Sequence, residues 1–365
     1  MKKSILICLA VVLVIGLIFA GCAQPAPAPT PTPTPPPAPA PKADTTTPFY
    51  KDNNVSLVIT HGAGGGVDLL GRIVAVFWNK FTGGTMLVKN VTGAGGVLGA
   101  NQVYTAKPDG LTIGMTMSGS GFVYPVIFKQ AGVEFDLSKF IWISQWVNEN
   151  AVFALSVKAP PSKSMEDVQK INGFKFAIPG VRDPSAVSAA VLIKTFGLKD
   201  SRIVSGYAGT AEMSVAAGRG EVDGYAIVES AILDHINKGM LSKPAILSMS
   251  TQKRAELFPD VPTIAEAKKL SADEKKELDL ITSILNEGRT YYMTPGVAAE
   301  KVQFVKDIFN KIAVDADFLK QIKDRYPIFP KPVTAEELTK YMQQVMAFSK
   351  DEIAKWEKLI AEYSH

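Results

Sequence analysis

The chain has few residues for thiol, metal or redox chemistry. Its 365 residues include two cysteines, Cys8 and Cys22. Cys8 lies in the apolar run from Ile5 to Ala20, so removal of that run leaves one cysteine and excludes an internal disulfide. An exported domain without such a pair is held by its core alone. There are three histidines, His61, His235 and His365, with neither an HExxH pattern nor Cys/His ligand spacing. That argues against a zinc site, and no metal or cofactor is expected. His365 is the last residue. His235 stands beside Asp234 on a helical segment and is expected at the surface. Neither a G-x-S-x-G elbow nor a G-x-x-x-x-G-K-[ST] loop occurs, which removes two common hydrolase signatures. Net charge is only +4, with no basic run of five or more and no aromatic–basic interleaving, so a nucleic-acid partner is not indicated. Beyond residue 20 no apolar run reaches the roughly 20 residues that a membrane span requires.

The N-terminal residues carry their own signal. Lys2 and Lys3 precede the apolar run, and Phe19-Ala20-Gly21-Cys22 closes it. A basic start, a short apolar core and small residues before a cut describe a secretory signal over residues 1–21. The cysteine directly after it resembles the lipobox of bacterial lipoproteins. That implies acylation of Cys22 and an extracytoplasmic protein anchored by lipid to the bacterial cell membrane. An acylated sulfur is no nucleophile, so thiol catalysis is excluded as well. From Pro25 to Pro41 the chain is mostly proline, alanine and threonine. This favours an extended polyproline II form of roughly 50 Å at about 3.1 Å per residue. Residues 22–51 are therefore expected to form a stalk.

The remainder is too long for one ordinary core and suits two lobes. Strand-like runs at 55–60, 86–91, 111–116, 174–178, 201–204 and 222–228 alternate with helical patterns at 67–80, 184–196 and 210–219. This is an α/β plan with parallel sheets covered by helices. The end of the chain reads as helices at 297–312, 315–325 and 335–363, and the acidic residues at 273–279 as a solvated helix face. Within this plan the stretch His61-Gly62-Ala63-Gly64-Gly65-Gly66-Val67-Asp68 is the most informative. Glycine lets backbone approach a ligand, and the N–H groups of a following helix favour an anion. A nucleotide phosphate and a small carboxylate both fit. Val67 stands where the third glycine of a dinucleotide loop belongs, and the second strand ends in Lys89-Asn90 without a ribose-binding acid.

Further landmarks follow in order. They are Asn90-Val91-Thr92-Gly93-Ala94-Gly95-Gly96-Val97-Leu98-Gly99-Ala100, Lys107-Pro108-Asp109-Gly110, Tyr207-Ala208-Gly209-Thr210-Ala211 and Leu257-Phe258-Pro259-Asp260-Val261-Pro262-Thr263. With Gly64-Gly65-Gly66-Val67-Asp68, this series resembles the substrate-binding proteins of the tripartite tricarboxylate transporter system over about residues 52–363. Thr92 stands in place of a proline in the family pattern, and Ala208 in place of its usual lysine.

The resemblance implies a two-lobed, Venus-flytrap (type II) periplasmic-binding-protein fold without catalysis, hinged on two crossing strands near 142–153 and 281–292. Lobe one is then 52–145 plus 288–365, and lobe two 146–287. The implied ligand is a di- or tricarboxylate or a related organic acid, and the implied partners are membrane permease subunits. The alternative is a ligand-binding sensor that feeds a signalling partner. Carried over by position, the ligand-binding residues are Gly62, Ala63, Gly64 and Gly65, then Ser118, Gly119 and Ser120. The second lobe adds the loop Gly180-Val181-Arg182-Asp183-Pro184-Ser185, with Gly180, Val181 and Arg182 singled out, then Gly206 and Tyr207. Asp68 is expected to orient the first loop, since it repels an anion. Arg182 either makes a bidentate carboxylate contact or faces solvent. His61 walls the pocket, adds pH dependence, or packs under the loop.

Overall fold

Residues 46–285, 287–323 and 332–364 are described in the computed structural model of the chain. The signal segment 1–21, Cys22, the stalk up to residue 45 and His365 lie outside the described residues. The folded chain starts earlier than its composition suggests. Helix α1 (Thr46–Asp52) precedes the first strand, and its Tyr50 is fully buried. The Tyr50 ring stacks on Phe304 at 5.0 Å and meets Trp78 edge-on at 5.4 Å. Its hydroxyl donates to the Gly110 carbonyl at 3.1 Å. Residues 46–51, which composition assigns to the stalk, therefore belong to the domain. Two adjacent aromatics bury enough surface to offset the cost of ordering one helical turn and more.

The first sheet begins with β1 (Val55–Ile59), followed through the glycine loop by α2 (Gly66–Thr82). Of the predicted stripe Leu69, Leu70, Ile73, Val74, Phe77 and Trp78, all but exposed Leu69 are buried, and Gly83 ends the helix in the left-handed region. Next come β2 (Met86–Asn90), α3 (Val97–Tyr104) and β3 (Thr112–Met117), with β2 and β3 both parallel to β1. The glycines between β2 and α3 serve backbone shape and close packing. Gly93 has φ +134°, and a Cβ on Gly99 would lie 2.7 Å from the Val91 carbonyl oxygen.

The chain then crosses between sheets. Strand β4 (Ile141–Glu149) lies in the first sheet; after Asn150, β5 (Ala151–Leu155) lies in the second. The second sheet adds β6 (Lys175–Ala177), β7 (Arg202–Val204), β8 (Gly224–Val228) and β9 (Leu247–Ser248). Its longer helices are α4 (Pro184–Phe196), α5 (Thr210–Arg219), α6 (Glu229–Asn237) and α7 (Ala272–Ser283); single turns are left unlabelled. Strand β10 (Glu287–Met293) returns to the first sheet and pairs antiparallel with β3 and β4. The end of the chain supplies α8 (Ala299–Val314), α9 (Ala316–Lys323), β11 (Val333–Thr334), α10 (Ala335–Met346) and α11 (Lys350–Tyr363).

The strand orders are β11-β4-β10-β3-β1-β2 and β7-β6-β8-β5-β9. The fold is a two-lobed α/β architecture with two crossing segments. Its sheets are mixed and not wholly parallel, because crossing strands β4, β5 and β10 enter antiparallel to a neighbour. Close packing fixes the return crossing. A Cβ on Gly114 of β3 would lie 2.2 Å from the Tyr292 ring of β10. On the other face Trp146 packs within 5.5 Å of the Tyr291, Phe309 and Phe318 rings.

Two local expectations need correction. The helix expected over 335–363 breaks at residues 347–349, where Ser349 and Glu352 form a capping box that starts α11. That S-x-x-E signature is readable in the sequence. Helix α11 then packs on α4 and β7, with Trp356 and Ile360 buried, so the chain end lies against the second sheet. His235 is buried rather than exposed, its Nδ1 2.7 Å from the Tyr225 hydroxyl. Burial holds its pKa below the ordinary value.

Candidate functional site

A cavity of about 970 Å³ opens between the two sheets. Its first wall is the loop between β1 and α2, contributed by His61, Gly62, Ala63, Gly65 and Gly66. Gly65 is the N-cap of α2 and, as a glycine, brings no capping side chain of its own. Asp68 in the first turn is buried and is not part of the cavity lining. Its carboxylate accepts from the Gly64 amide (2.8 Å), Arg72 Nε (2.9 Å) and Asn90 Nδ2 (2.9 Å). Asn90 Nδ2 also donates to the His61 carbonyl at 2.9 Å, so both ends of the loop are tied to β2 and α2. Burial pushes the Asp68 carboxyl up, but the bonds from Arg72, Gly64 and Asn90 outweigh it and hold it below the ordinary value.

The crossing segments form the floor. Arg289 of β10 lines the cavity, is only 6% exposed, and forms an ion pair with fully buried Glu149 at the end of β4. The other Glu149 oxygen accepts from the Ser230 amide at the start of α6, at 3.1 Å. Glu229 beside it accepts from the Asn150 and Leu257 amides, at 3.1 and 2.6 Å. Burial raises its pKa. The Nε of Arg289 is buried without a hydrogen-bond partner among the described residues. A guanidinium with one N–H spoken for and another unmet at a cavity wall is suited to receive an oxygen anion.

The far wall comes from the second sheet and its helices. Asp183 is the N-cap of α4 and accepts from the Ser185 amide (2.9 Å) and hydroxyl (2.5 Å). Burial raises its pKa. Ile227, Val228, Leu233 and Leu285 supply apolar surface. Ser185, Ser188, Thr210, Ser230 and Asn237 stand among them, so the cavity can enclose a small organic molecule with polar groups along its length. Among the described residues no cluster of three or more His, Cys, Asp or Glu could hold a metal ion.

The residues singled out from the sequence divide into two groups. Gly62, Ala63, Gly65 and Ser120 line the cavity together. Gly64 stands beside them with its amide turned to Asp68. Ser118 is fully buried and accepts from the Gly288 amide at 3.0 Å, so its hydroxyl serves the crossing strand, and neither it nor Gly119 lines the cavity. Gly180, Val181 and Arg182 are not part of the lining, although the same loop reaches it at Asp183, and Arg182 and Val181 are exposed. Gly206 is exposed, and half-buried Tyr207 packs against the core under α5. Their chain neighbours Asp183 and Thr210 line the cavity instead. Sequence reading passed over Arg289 and Glu149, whereas Asp183 stands in the 180–185 loop that the resemblance offered. Arg289 and Glu149 sit at matching ends of the two crossing strands, yet a charge in a strand marks no motif. Asp183 had a readable signal, Asp-Pro-Ser at a helix start.

His61 lines the cavity, and its Nδ1 lies 2.9 Å from the Thr60 hydroxyl, which in turn is 2.6 Å from that of Thr116. Burial, and then the Arg289 charge, lower its pKa from 6.5 to about 4. The folded state thus holds a neutral imidazole that the unfolded chain protonates first. Stability from this group is complete above the unfolded value and is lost as pH falls from 6.5 towards 4. Between pH 7 and pH 4 the wild type is expected to lose on the order of 3 kcal/mol that His61→Asn does not lose. Urea denaturation of both proteins across that range checks it; parallel curves would place His61 outside the buried field of Arg289.

Comparison with known proteins gives a consistent result. The family described as the tripartite tricarboxylate transporter family receptor matches residues 70–282. A UPF0065 protein of Bordetella bronchiseptica is 24% identical over 270 residues, covering 72% of this chain and 73% of that one. A TctC solute-binding protein from Polaromonas, solved without ligand, superposes with a TM-score of 0.63 at 20% identity, over 85% of this chain and 98% of that one. An R. palustris protein solved with adipate gives 0.61 at 18% identity, over 85% and 98%. At these identities the structures speak for the fold, which is that of two-lobed periplasmic binding proteins.

Proposed function

The chain belongs to the tripartite tricarboxylate transporter receptor family, and from that premise we propose that it is an extracytoplasmic receptor that captures a small organic acid between its lobes and delivers it to a membrane permease. The observation that carries the reading is the cavity itself. A helix start with a glycine loop faces it from one side, and a buried arginine forms its floor. Amides of Gly62, Ala63 and Gly65, the Ser120 side chain and Arg289 bind the carboxylate. Asp68 holds the loop that presents the amides. The protein performs no chemistry on its ligand. The neighbour that holds adipate supports an acid of similar size.

The lobes in this reading are 52–145 with 288–365, and 146–287, except that α1 joins the first and α11 rests on the second. Binding draws them together about Asn150 and the segment before β10, and the permease recognises the closed form. Cys22 carries the lipid anchor. The reading is tested by thermal unfolding of the full chain against a panel of mono-, di- and tricarboxylates, sugars and polyols. At least one acid is expected to raise the melting temperature. At 100 times its dissociation constant that acid adds about 2.7 kcal/mol. A shift by sugars or polyols alone would remove the carboxylate reading.

A further inference from the structure

Among the side chains that line the cavity, Asp183, Asp234 and Arg289 carry charge, while burial keeps His61 neutral. Two of the three charges are balanced by the chain itself. Arg289 is paired with buried Glu149, and Asp234 lies 2.7 Å from the Lys238 ammonium. Asp183 is different. It forms no ion pair among the described residues, and no positive charge of the chain bears on its ionisation. Its carboxylate is also only half used. Oδ1 takes both bonds from Ser185, the amide at 2.9 Å and the hydroxyl at 2.5 Å. Oδ2 accepts none among the described residues and is not sealed from contact. The cap on α4 fixes this half-buried carboxylate at the wall. Burial disfavours its charge, and a cation placed beside it reverses that.

The chemistry around Asp183 selects the kind of cation. An ammonium brings N–H donors and no acceptor. Ser188 on α4 and Thr210 at the start of α5 also line the cavity, and their hydroxyl oxygens add acceptors to the carboxylate. A quaternary cation is instead recognised by aromatic faces, and the lining includes no Phe, Tyr or Trp. Independently, Arg289 is more than nine-tenths buried at the cavity wall, with its Nε unmet among the described residues. A carboxylate answers Arg289, but a ligand that is only an anion leaves Asp183 unanswered and adds a second negative charge to the same cavity.

We propose that the ligand is an aminocarboxylate: its carboxylate meets the 62–66 loop and Arg289, and its ammonium group meets Asp183. This rests on the carboxylate reading above and adds a second, opposite charge to the ligand. The test is isothermal titration of the full chain near neutral pH with two matched sets. One is hexanoate, adipate, norleucine and 6-aminohexanoate; the other is pentanoate, glutarate, norvaline and 5-aminopentanoate. In a set that binds, the better amino acid is expected to bind at least about tenfold tighter than either plain acid, the gain of one charge-assisted pair. Asp183→Asn and Asp183→Ser remove the charge and keep a good helix cap, and each is expected to abolish most of that preference. A plain acid that binds wild type as tightly as both amino acids of its set, or a preference that both variants leave unchanged, overturns the inference and leaves the carboxylate reading intact. Failure of every acid, amino or plain, contradicts both.

Discussion

Arg289→Ala is expected to lower unfolding stability by about 3–5 kcal/mol, the usual cost of removing one partner from a buried ion pair. The cause lies in the residue left behind. Glu149 is fully buried, and without the guanidinium its charge keeps, among the described residues, the Ser230 amide. The double variant Glu149→Gln with Arg289→Ala removes both charges and is expected to recover most of the loss. In a double-mutant cycle the coupling should then exceed 2 kcal/mol, whereas independent sites add to within about 0.5 kcal/mol. Additive losses in urea denaturation would mean that the pair does not hold the crossing strands together. Because the two residues lie on different crossing strands, β10 and β4, the same pair ties stability to the place where the chain passes between its two sheets.

Tyr50→Ala is expected to cost about 3–5 kcal/mol, the range for deleting a large buried aromatic. The ring is fully buried against Trp78 and Phe304, and the hydroxyl bonds to the Gly110 carbonyl. The Tyr50 main chain is enclosed too, since a Cβ on Gly84 would lie 1.9 Å from its carbonyl oxygen. Urea denaturation reads the loss. A change below 1 kcal/mol would return residues 46–52 to the stalk.

That second case illustrates where composition misleads. The Pro- and Thr-rich stretch up to residue 48 gives no internal reason to fold, and α1 exists because Phe304, Trp78 and Gly110 receive it. No local pattern encodes a contact some 250 residues away. The β-branched run of β1, the helical stripe of α2 and the glycine turn after it are different. Each is dictated by spacing within one element, and each stands in the structure where the sequence places it. The antiparallel entry of β4, β5 and β10 is a matter of topology, to which strand propensity is blind. At the site the same division holds. Glycine loop and helix start were legible because backbone chemistry demands those residue types. Arg289 and Glu149 meet only when the two crossings are laid side by side, and Arg182, the conspicuous loop cation, lies outside the lining.

The central claim is that the loop of residues 62–66 and Arg289 together receive a carboxylate. The most direct measurement is a crystal structure of the full chain with the acid that gives the largest thermal shift. The account predicts one carboxylate within hydrogen-bond distance of the loop amides and of the Arg289 guanidinium, with the rest of the molecule against Val228 and Leu233. An acid bound outside this cavity, or one whose carboxylate meets the α4 start at Asp183 while Arg289 remains paired with Glu149 alone, would contradict it.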